Sequence, residues 1–139
     1  MIKRYQSKLS GPLLDRIDIH ITVPRVEYDK LMSMEQGESS AIVRERVEAA
    51  RERQKERFAE LDGLYANADM TVSEIQTLCV LSDSAKQLLD LSVRKMRLSA
   101  RAYHRVLKLS RTVADLDNSD LIDVPHVAEA IQYRPQQEN

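Results

Sequence analysis

One short segment, from Ile17 to Val23, constrains the fold of this chain more than any other feature of its sequence. Its residues alternate between apolar and polar types, the apolar ones are β-branched, and Pro24 ends the pattern. This alternation is typical of a β-strand with one buried face. A single strand cannot form a sheet, so its partner strands must come from another chain or from sequence absent here. By itself the segment leaves three alternatives open: disorder, a hairpin, or pairing with a second copy.

The rest of the sequence favours helices. Only three glycines and four prolines occur among 139 residues, which argues against a loop-rich or β-rich fold. After a loop over residues 25–39, the Ser39-Ser40 pair predicts an N-cap for a long helix from Ala41 to Leu61. Most of its side chains are charged and Gln54 interrupts its narrow apolar stripe, so we expect the helix to protrude or to pack by one edge. The stripe consists of Val43, Val47, Ala50, Phe58 and Leu61.

Four more helices are predicted beyond residue 70. Serine, threonine or aspartate precedes the first three of them at the position of an N-cap. The four are expected from Thr71 or Ser73 to Leu78, from Ser82 or Asp83 to Met96, from Ser99 to Leu116, and from Val124 to Tyr133. The sequence therefore predicts a mainly α fold in four parts. These are a tether with an orphan strand remnant (1–24), a loop with the long charged helix (25–70), a helical bundle (71–134) and a polar tail (135–139).

The motifs of a self-contained enzyme are missing from the sequence. It has no glycine-rich phosphate loop, no pair of histidines on one helical face and no nucleophile elbow. His20, His104 and His126 lie in three different elements, so no metal site is expected. Cys79 is expected to be a small core residue. A formal net charge of -1 excludes a globally basic nucleic-acid binder. Because no apolar run is long enough for a membrane span and no leader follows Met1, the expected location is the cytoplasm.

The most unusual stretch runs from Arg94 to Arg111 and contains seven basic residues and no acidic one. On the helix predicted there, Arg101, Arg105 and Lys108 lie on one ridge, opposite a broad apolar arc. The helix dipole disfavours Arg101 in the first turn, so this residue favours an anionic partner. Two interpretations are open for these cations. Either they are solvated or paired with carboxylates of neighbouring helices, or they bind phosphate through the planar guanidinium.

Two long motifs resemble a known family. The run from Ser10 to Ile21 (SGPLLDRIDIHI) is similar to the segment of magnesium-chelatase-like AAA+ ATPases that leads into the last strand of their nucleotide-binding domain. The run from Leu98 to Leu116, with LSARAYHRVLK and RTVADL, resembles their lid helix, in particular that of the ComM (YifB) competence-protein subgroup. Shorter matches are VxxARxxQxxRF at 47–58, NAxM at 67–70 and EAIxYR at 129–134. The resemblance extends from residue 4 to residue 134.

The resemblance implies roles for two arginines. Arg16, in the LLDRID run, matches the arginine finger that reaches from one subunit into the nucleotide site of the next. Arg101, in the LSAR run, matches the sensor-2 residue, which lies in the lid over the γ-phosphate of ATP. A guanidinium beside the charge that develops in phosphoryl transfer stabilises the transition state. A local salt bridge for Arg16 and a structural role for Arg101 stay open as alternatives. The resemblance assigns nothing to Arg105, Lys108 and Arg111, for which packing and salt bridges are expected.

The same resemblance implies a longer parent protein. Its Walker A loop, Walker B carboxylates and sensor-1 residue would precede Met1, so ATP and Mg²⁺ are cofactors expected of the parent, and this chain is not expected to bind them or to hydrolyse ATP. The lid, residues 71–134, would transmit hydrolysis between neighbouring subunits of a ring, expected to be a hexamer, that acts on DNA in uptake or recombination. Two other hypotheses stay open: a helical module that binds DNA without nucleotide, and a subunit-docking module that uses the helix from Ala41 to Leu61.

Overall fold

The computed structural model describes residues 16–25 and 37–134. Within these ranges the chain forms five α-helices and one short 3₁₀ helix: α1 (Ser40–Arg57), the 3₁₀ helix (Asn67–Asp69), α2 (Val72–Leu78), α3 (Asp83–Met96), α4 (Ala100–Leu116) and α5 (Val124–Gln132). The expected mainly α fold is confirmed. None of these helices is long and apolar enough to cross a membrane. The predicted tether up to residue 15, the loop residues 26–36 and the tail 135–139 lie outside the described residues.

Serine side chains mark the starts of three helices. Ser39, Ser82 and Ser99 are the N-caps of α1, α3 and α4. Each hydroxyl accepts a hydrogen bond from a backbone N–H of the first turn, at 3.4, 3.2 and 3.2 Å respectively. At α2 the backbone N–H of Thr71 donates to the carboxylate of Glu74 at 2.7 Å. These contacts satisfy N–H groups that have no partner within the helix. The helix starts predicted from these residues are therefore confirmed.

Helix α4 lies at the centre of the bundle and contacts α1, α2, α5 and the 3₁₀ helix, while α3 packs on α5. Val106 and Ala114 of α4 are fully buried, as are Leu89 of α3 and Val127 of α5, and all four belong to one core. The apolar arc predicted for α4 faces this core. Since a fully buried valine or leucine side chain contributes about 1.5–3 kcal/mol, this layer of aliphatic side chains holds the helices together.

A pair of backbone hydrogen bonds ties the start of α3 to the start of α5. The N–H of Ser82 donates to the carbonyl of Ile122 at 3.0 Å, and the N–H of Ile122 donates to the carbonyl of Val80 at 2.9 Å. The Ser82 hydroxyl also donates to the carboxylate of Asp123 at 2.6 Å, across 41 positions of sequence. The two helices therefore begin at the same end of the bundle.

The segment Ile17–Val23, predicted as a strand remnant whose state without partner strands was left open, forms no strand in this structure. Residues 16–25 have no regular secondary structure, and the apolar side chains of the alternating pattern are exposed. A strand requires a neighbouring strand to take up its backbone hydrogen bonds, and none lies beside this segment in the described part of the chain. Its backbone instead contacts α4 and the end of α5.

Helix α1 ends at Arg57, one turn earlier than predicted. Phe58 turns into the core, and the chain then reverses at Gly63, whose φ of 80° suits a residue without a side chain. Residues 40–49 are exposed, including two valines of the predicted apolar stripe. The helix therefore buries side chains only in its C-terminal half, while Val43 and Val47 of its exposed N-terminal half line a surface groove with residues of α4 and α5. This arrangement agrees with the expectation of packing by one edge.

Candidate functional site

The predicted cationic ridge lines a groove on the surface of the bundle. Arg101, Arg105 and Lys108 project from successive turns of α4 into this groove. His104 completes its lining, together with Met70 and Thr71 just before α2 and Val72 and Ile75 within α2. The groove has a volume of about 500 Å³. We call it the ridge groove.

The three cations of the ridge groove differ in their partners. The Nζ of Lys108 donates to the carbonyl of Ala68, in the 3₁₀ helix, at 2.7 Å. Arg105 forms an ion pair with Asp18, in the segment before α1. Arg101 is exposed and has no hydrogen-bond or ion-pair partner among the described residues. Arg101 is therefore the cation of this ridge that is available to a ligand.

The position of Arg101 adds an electrostatic reason for an anionic ligand. It is the second residue of α4, and no acidic residue lies in the first turn of that helix. The N-terminus of a helix carries a partial positive charge, so a cation there is disfavoured until an anion approaches. A guanidinium also offers parallel N–H donors that match two oxygens of a phosphate group. The arrangement therefore suits a phosphate or a similar oxyanion.

The residue Arg16 lies beside the same helix. Nη1 of Arg105 donates to the carbonyl oxygen of Arg16 at 2.6 Å and also to the carboxylate of Asp18. The side chain of Arg16 is exposed. Because Arg101 and Arg105 are one helical turn apart, the structure brings the backbone of Arg16 and the side chain of Arg101 to the same part of α4. No pattern in the sequence had connected them.

Two further hydrogen bonds hold the residues that follow Arg16. Nη1 of Arg134 donates to the carbonyl of Ile17 at 3.0 Å. The backbone N–H of His20 donates to the carbonyl of Tyr133 at 2.8 Å. Residues 16–20, which we call the Arg16 segment, are therefore fixed to α4 and to the end of α5.

A second group of charged residues lies in the interior. The carboxylate of Asp115, with a side chain 0% exposed, pairs with Arg57 of α1 and with Arg111 of its own helix. Nη1 of Arg57 lies 2.8 Å from Oδ2, and Nε of Arg111 lies 3.2 Å from Oδ1. Nδ2 of Asn67 donates to the same carboxylate at 2.8 Å, and Gln54 accepts from the backbone N–H of Asn67 at 3.2 Å. We call these five residues the Asp115 cluster.

The Asp115 cluster stabilises the fold. It joins α1, the 3₁₀ helix and α4, and Arg111 extends it by donating to the carbonyls of Ser119 and Asp120, the latter at 2.6 Å. Burial lowers the pKa of Arg111, and the Asp115 carboxylate opposes this shift. Buried charges are tolerated only when they are paired and hydrogen-bonded, as these are. The expectation of salt bridges is confirmed for Arg111, and by the Asp18 contact for Arg105.

Sequence reasoning missed most of this cluster. Arg111 and Asp115 lie four residues apart on one helix, which is the spacing of an intrahelical ion pair and was a usable signal. Gln54 does interrupt the apolar stripe, as predicted, but its role was missed: it is 4% exposed and hydrogen-bonded to Asn67. Arg57 and Asp115 are separated by 58 positions, and no local pattern marks a contact at that distance.

The three histidines belong to three different parts of the fold. His20 is in the Arg16 segment and His104 in the ridge groove. The ring of His126 is buried, with Nδ1 accepting from the backbone N–H of Asp123 at 2.9 Å and Nε2 lying 3.0 Å from the carboxylate of Asp117. Since Nδ1 accepts, the proton of the neutral ring lies on Nε2 and is donated to Asp117. His126 therefore has a structural role at the start of α5.

The thiol of Cys79 belongs to the core. Its side chain is buried, and burial raises the pKa of the thiol to about 11, although the nearby guanidiniums of Arg111 and Arg57 act in the opposite direction. A protonated, buried thiol is a poor nucleophile. Within residues 16–25 and 37–134, no three side chains of His, Cys, Asp or Glu are grouped so as to hold a metal ion.

The sequence matches models of one protein family along most of its length. Residues 37–134 match the family described as magnesium chelatase, subunit ChlI C-terminal, and residues 1–31 match magnesium chelatase, subunit ChlI. The chain is 45% identical to competence protein ComM of Haemophilus influenzae over 96% of its length. It is 42% identical to the uncharacterized protein YifB of Escherichia coli over 94%, and 33% identical to the uncharacterized protein Mb2921c of Mycobacterium bovis over 95%.

This chain spans only about a quarter of the length of these relatives, 25% of ComM and of YifB and 26% of Mb2921c. The long match to the C-terminal family model and the ComM identity over nearly the whole chain agree with the motifs around Arg16 and Arg101. The chain therefore belongs to the magnesium-chelatase-like family, as the ChlI C-terminal domain in the form found in ComM and YifB.

Proposed function

We propose that this chain is the lid of a magnesium-chelatase-like AAA+ ATPase and that Arg101 is its sensor-2 residue, in contact with the γ-phosphate of ATP. One observation carries the proposal: Arg105 and Lys108 are engaged within the chain, whereas Arg101 is exposed and has no partner among the described residues. A guanidinium in this state at a helix N-terminus is suited to bind an oxyanion. Family membership supports the same role, because Arg101 stands in the run that resembles the family's lid helix.

Arg16 is, in this proposal, the arginine finger that reaches the nucleotide site of a neighbouring subunit. Its side chain is exposed, while its backbone is held against α4 by Arg105. The guanidinium is therefore accessible to a ligand, and its base is held. In NTPases that use such a finger, the effect on turnover is about 10³- to 10⁵-fold.

The remaining catalytic parts belong to other regions of the parent protein. There ATP and Mg²⁺ bind, and hydrolysis changes the closure of the lid and moves the neighbouring subunits of a hexameric ring. DNA is the proposed substrate of the ring, which the name competence protein, carried by the relative ComM, supports. This chain by itself is expected not to hydrolyse ATP, and its cytoplasmic location stays a prediction.

The test compares Arg101→Ala with Arg94→Ala in the full-length ATPase that contains this chain. Arg94 is an exposed cation of the same basic stretch, but it lies on α3 and does not line the ridge groove, so it controls for the lost charge. We expect Arg101→Ala to lower kcat for ATP hydrolysis about 10²-fold, since it removes one donor to the developing charge. Arg94→Ala is expected to leave kcat unchanged. An Arg101→Ala protein with the turnover of the unchanged protein would refute the proposal.

One observation favours a second candidate function, DNA binding without nucleotide. The side chains of Arg94, Lys95 and Arg97 are exposed and, like that of Arg101, have no hydrogen-bond or ion-pair partner in the described part of the chain. If these cations bind DNA phosphates, the logarithm of the binding constant falls linearly with the logarithm of the salt concentration. The slope is about -0.9 for each phosphate neutralised, and it is expected with or without ATP. Failure of the chain to bind DNA at low salt would exclude this function.

One observation also supports subunit docking through α1: it has exposed apolar side chains. Ile42, Val43 and Val47 on its exposed N-terminal half are 50%, 40% and 46% exposed. Such a face is suited to contact with another subunit of a ring. Sedimentation of the chain at high concentration tests whether the face associates with a second copy, and a strictly monomeric species would count against that use.

A further inference from the structure

Polar contacts hold the Arg16 segment to the helical bundle, and its two isoleucines are only partly buried. Ile17 and Ile19, the apolar side chains within the segment, are 40% and 47% exposed. In contrast, the guanidinium of Arg105 binds the segment twice, through the carbonyl of Arg16 at 2.6 Å and through the carboxylate of Asp18. One side chain of α4 therefore holds the carbonyl of Arg16 directly.

We propose that Arg105 is a positioning residue that fastens the base of Arg16 to α4, so that Arg16 and Arg101 move as one body with the bundle. This inference rests on the proposed function of those two arginines. It adds a physical connection between the nucleotide site that Arg101 closes in its own subunit and the site that Arg16 reaches in the next.

The connection is short. Arg101 and Arg105 are four residues apart on α4, about 6 Å along the helix axis. From Arg105 one hydrogen bond leads to the backbone of Arg16. A rotation of α4 that brings Arg101 toward a phosphate, or away from it, therefore displaces the base of Arg16 in the same movement. Occupancy of one site thereby changes the placement of the finger in the next.

Two other contacts are expected to confine the effect of substituting Arg105 to the backbone near Arg16. Arg134 holds the carbonyl of Ile17, and the carbonyl of Tyr133 holds the N–H of His20. Both contacts lie at the end of α5 and do not involve Arg105. Substitution of Arg105 is therefore expected to release Arg16 while the rest of the segment stays attached.

The first measurement asks whether Arg105 restrains the carbonyl of Arg16 in this 139-residue chain. Trypsin cleaves the Arg16–Ile17 bond at that same carbonyl, so the rate of this cleavage, followed by mass spectrometry, reports how often the carbonyl is released. We expect Arg105→Ala to raise the rate about three- to ten-fold, the effect of losing one partly exposed charged hydrogen-bond donor. Arg105→Lys, which keeps the charge, is expected to raise the rate less.

The control for this measurement is Lys108→Ala. Lys108 is the next cation of the ridge and also donates to a backbone carbonyl, that of Ala68, which lies outside the Arg16 segment. We expect Lys108→Ala to leave cleavage at Arg16 unchanged. If Arg105→Ala also leaves it unchanged, or if both variants raise it equally, Arg105 does not hold the segment and the inference is wrong.

The second measurement asks whether Arg105 acts through Arg16 in the full-length ATPase. We expect Arg105→Ala to lower kcat with little change in KM for ATP, and to cause no further loss in a protein that already carries Arg16→Ala. Losses that multiply in the double variant would show that Arg105 acts independently of Arg16, which would overturn the inference.

The two proposals fail in different ways. If Arg16→Ala lowers kcat and Arg105→Ala does not, the coupling is wrong while the finger role of Arg16 stands. If Arg16→Ala leaves kcat unchanged, the finger role is wrong and the coupling falls with it, even where trypsin shows the restraint.

Discussion

Two of the three arginines of helix α4 share a chemical group and little else. Arg111 has a side chain 1% exposed and binds the carboxylate of Asp115 and two backbone carbonyls. Arg101, ten residues earlier, is exposed and without a partner in the described part of the chain. The comparison teaches that burial, and not residue type, separates the cations that hold this domain together from those that remain available to a ligand.

The physical reason is the cost of taking a charge out of water. For an ion in a protein interior this cost is several kcal/mol and is offset only by close partners. Arg111 has such partners, and they occupy its donors. Arg101 keeps its hydration, so it can exchange water for phosphate oxygens at little cost. A buried cation without a partner would be too unstable, and an exposed cation with many partners would not be free to bind.

The largest effect expected on this comparison comes from Asp115→Asn. The change keeps the shape of the side chain but removes its charge, so the buried guanidinium of Arg111 and the partly buried one of Arg57 lose their counterion. We expect the free energy of unfolding to fall by about 3–5 kcal/mol, measured by urea unfolding followed by circular dichroism. Asp90→Asn, an exposed position on α3, is the matched control and is expected to change little. A fall of less than about 1 kcal/mol, the value typical of a surface pair, would contradict the structural role of the cluster.

The reactivity of Cys79 tests the same buried region by its chemistry. Because burial raises the pKa of the thiol to about 11, we expect an aromatic disulfide reagent at pH 8 to modify the folded chain about a hundred-fold more slowly than the urea-unfolded chain. The rate in the folded chain should continue to rise with pH beyond 9, since the thiolate is the reactive form. A rate that levels off near pH 9, as for an ordinary thiol, would show that Cys79 is not held in the core.

The smallest effect is expected from Arg101→Ala on stability. The side chain contributes no hydrogen bond among the described residues, so we expect the free energy of unfolding to change by less than about 0.5 kcal/mol. Any change in the free energy of unfolding is expected to be a slight increase, because the substitution also removes a cation from the positive end of a helix. Arg111→Ala, the same chemical change on the same helix, is the contrast and is expected to cost about 2 kcal/mol or more. Similar losses for the two variants would remove the distinction between the regions.

Much of the helical framework could be predicted because its signals are local. Ser39, Ser82 and Ser99 each accept a hydrogen bond from an N–H three residues ahead. Both partners of the contact that starts the helix therefore lie within one turn of each other in the sequence. The cationic ridge followed in the same way from helical spacing, and Arg101 was identified as the cation of that ridge that the helix dipole disfavours.

The failures have a common cause as well. The alternation over Ile17–Val23 indicates only which side chains could face a core. A strand also requires a partner strand, which the described part of the chain does not supply. The pairing of Arg105 with Asp18 spans 87 positions, and neither residue carries a local sign of the other. Contacts of this kind depend on how separate elements are brought together.

The sequence by itself determined where the helices begin, which face of α4 is apolar and that its basic stretch has no carboxylate of its own. The tertiary structure decided which of those basic residues are free. It buried Arg111 against Asp115, turned Arg105 toward the Arg16 segment and left Arg101 exposed. The reason is that capping and amphipathicity act within a turn or two of one helix, whereas the partner of a charge is fixed only when the helices pack.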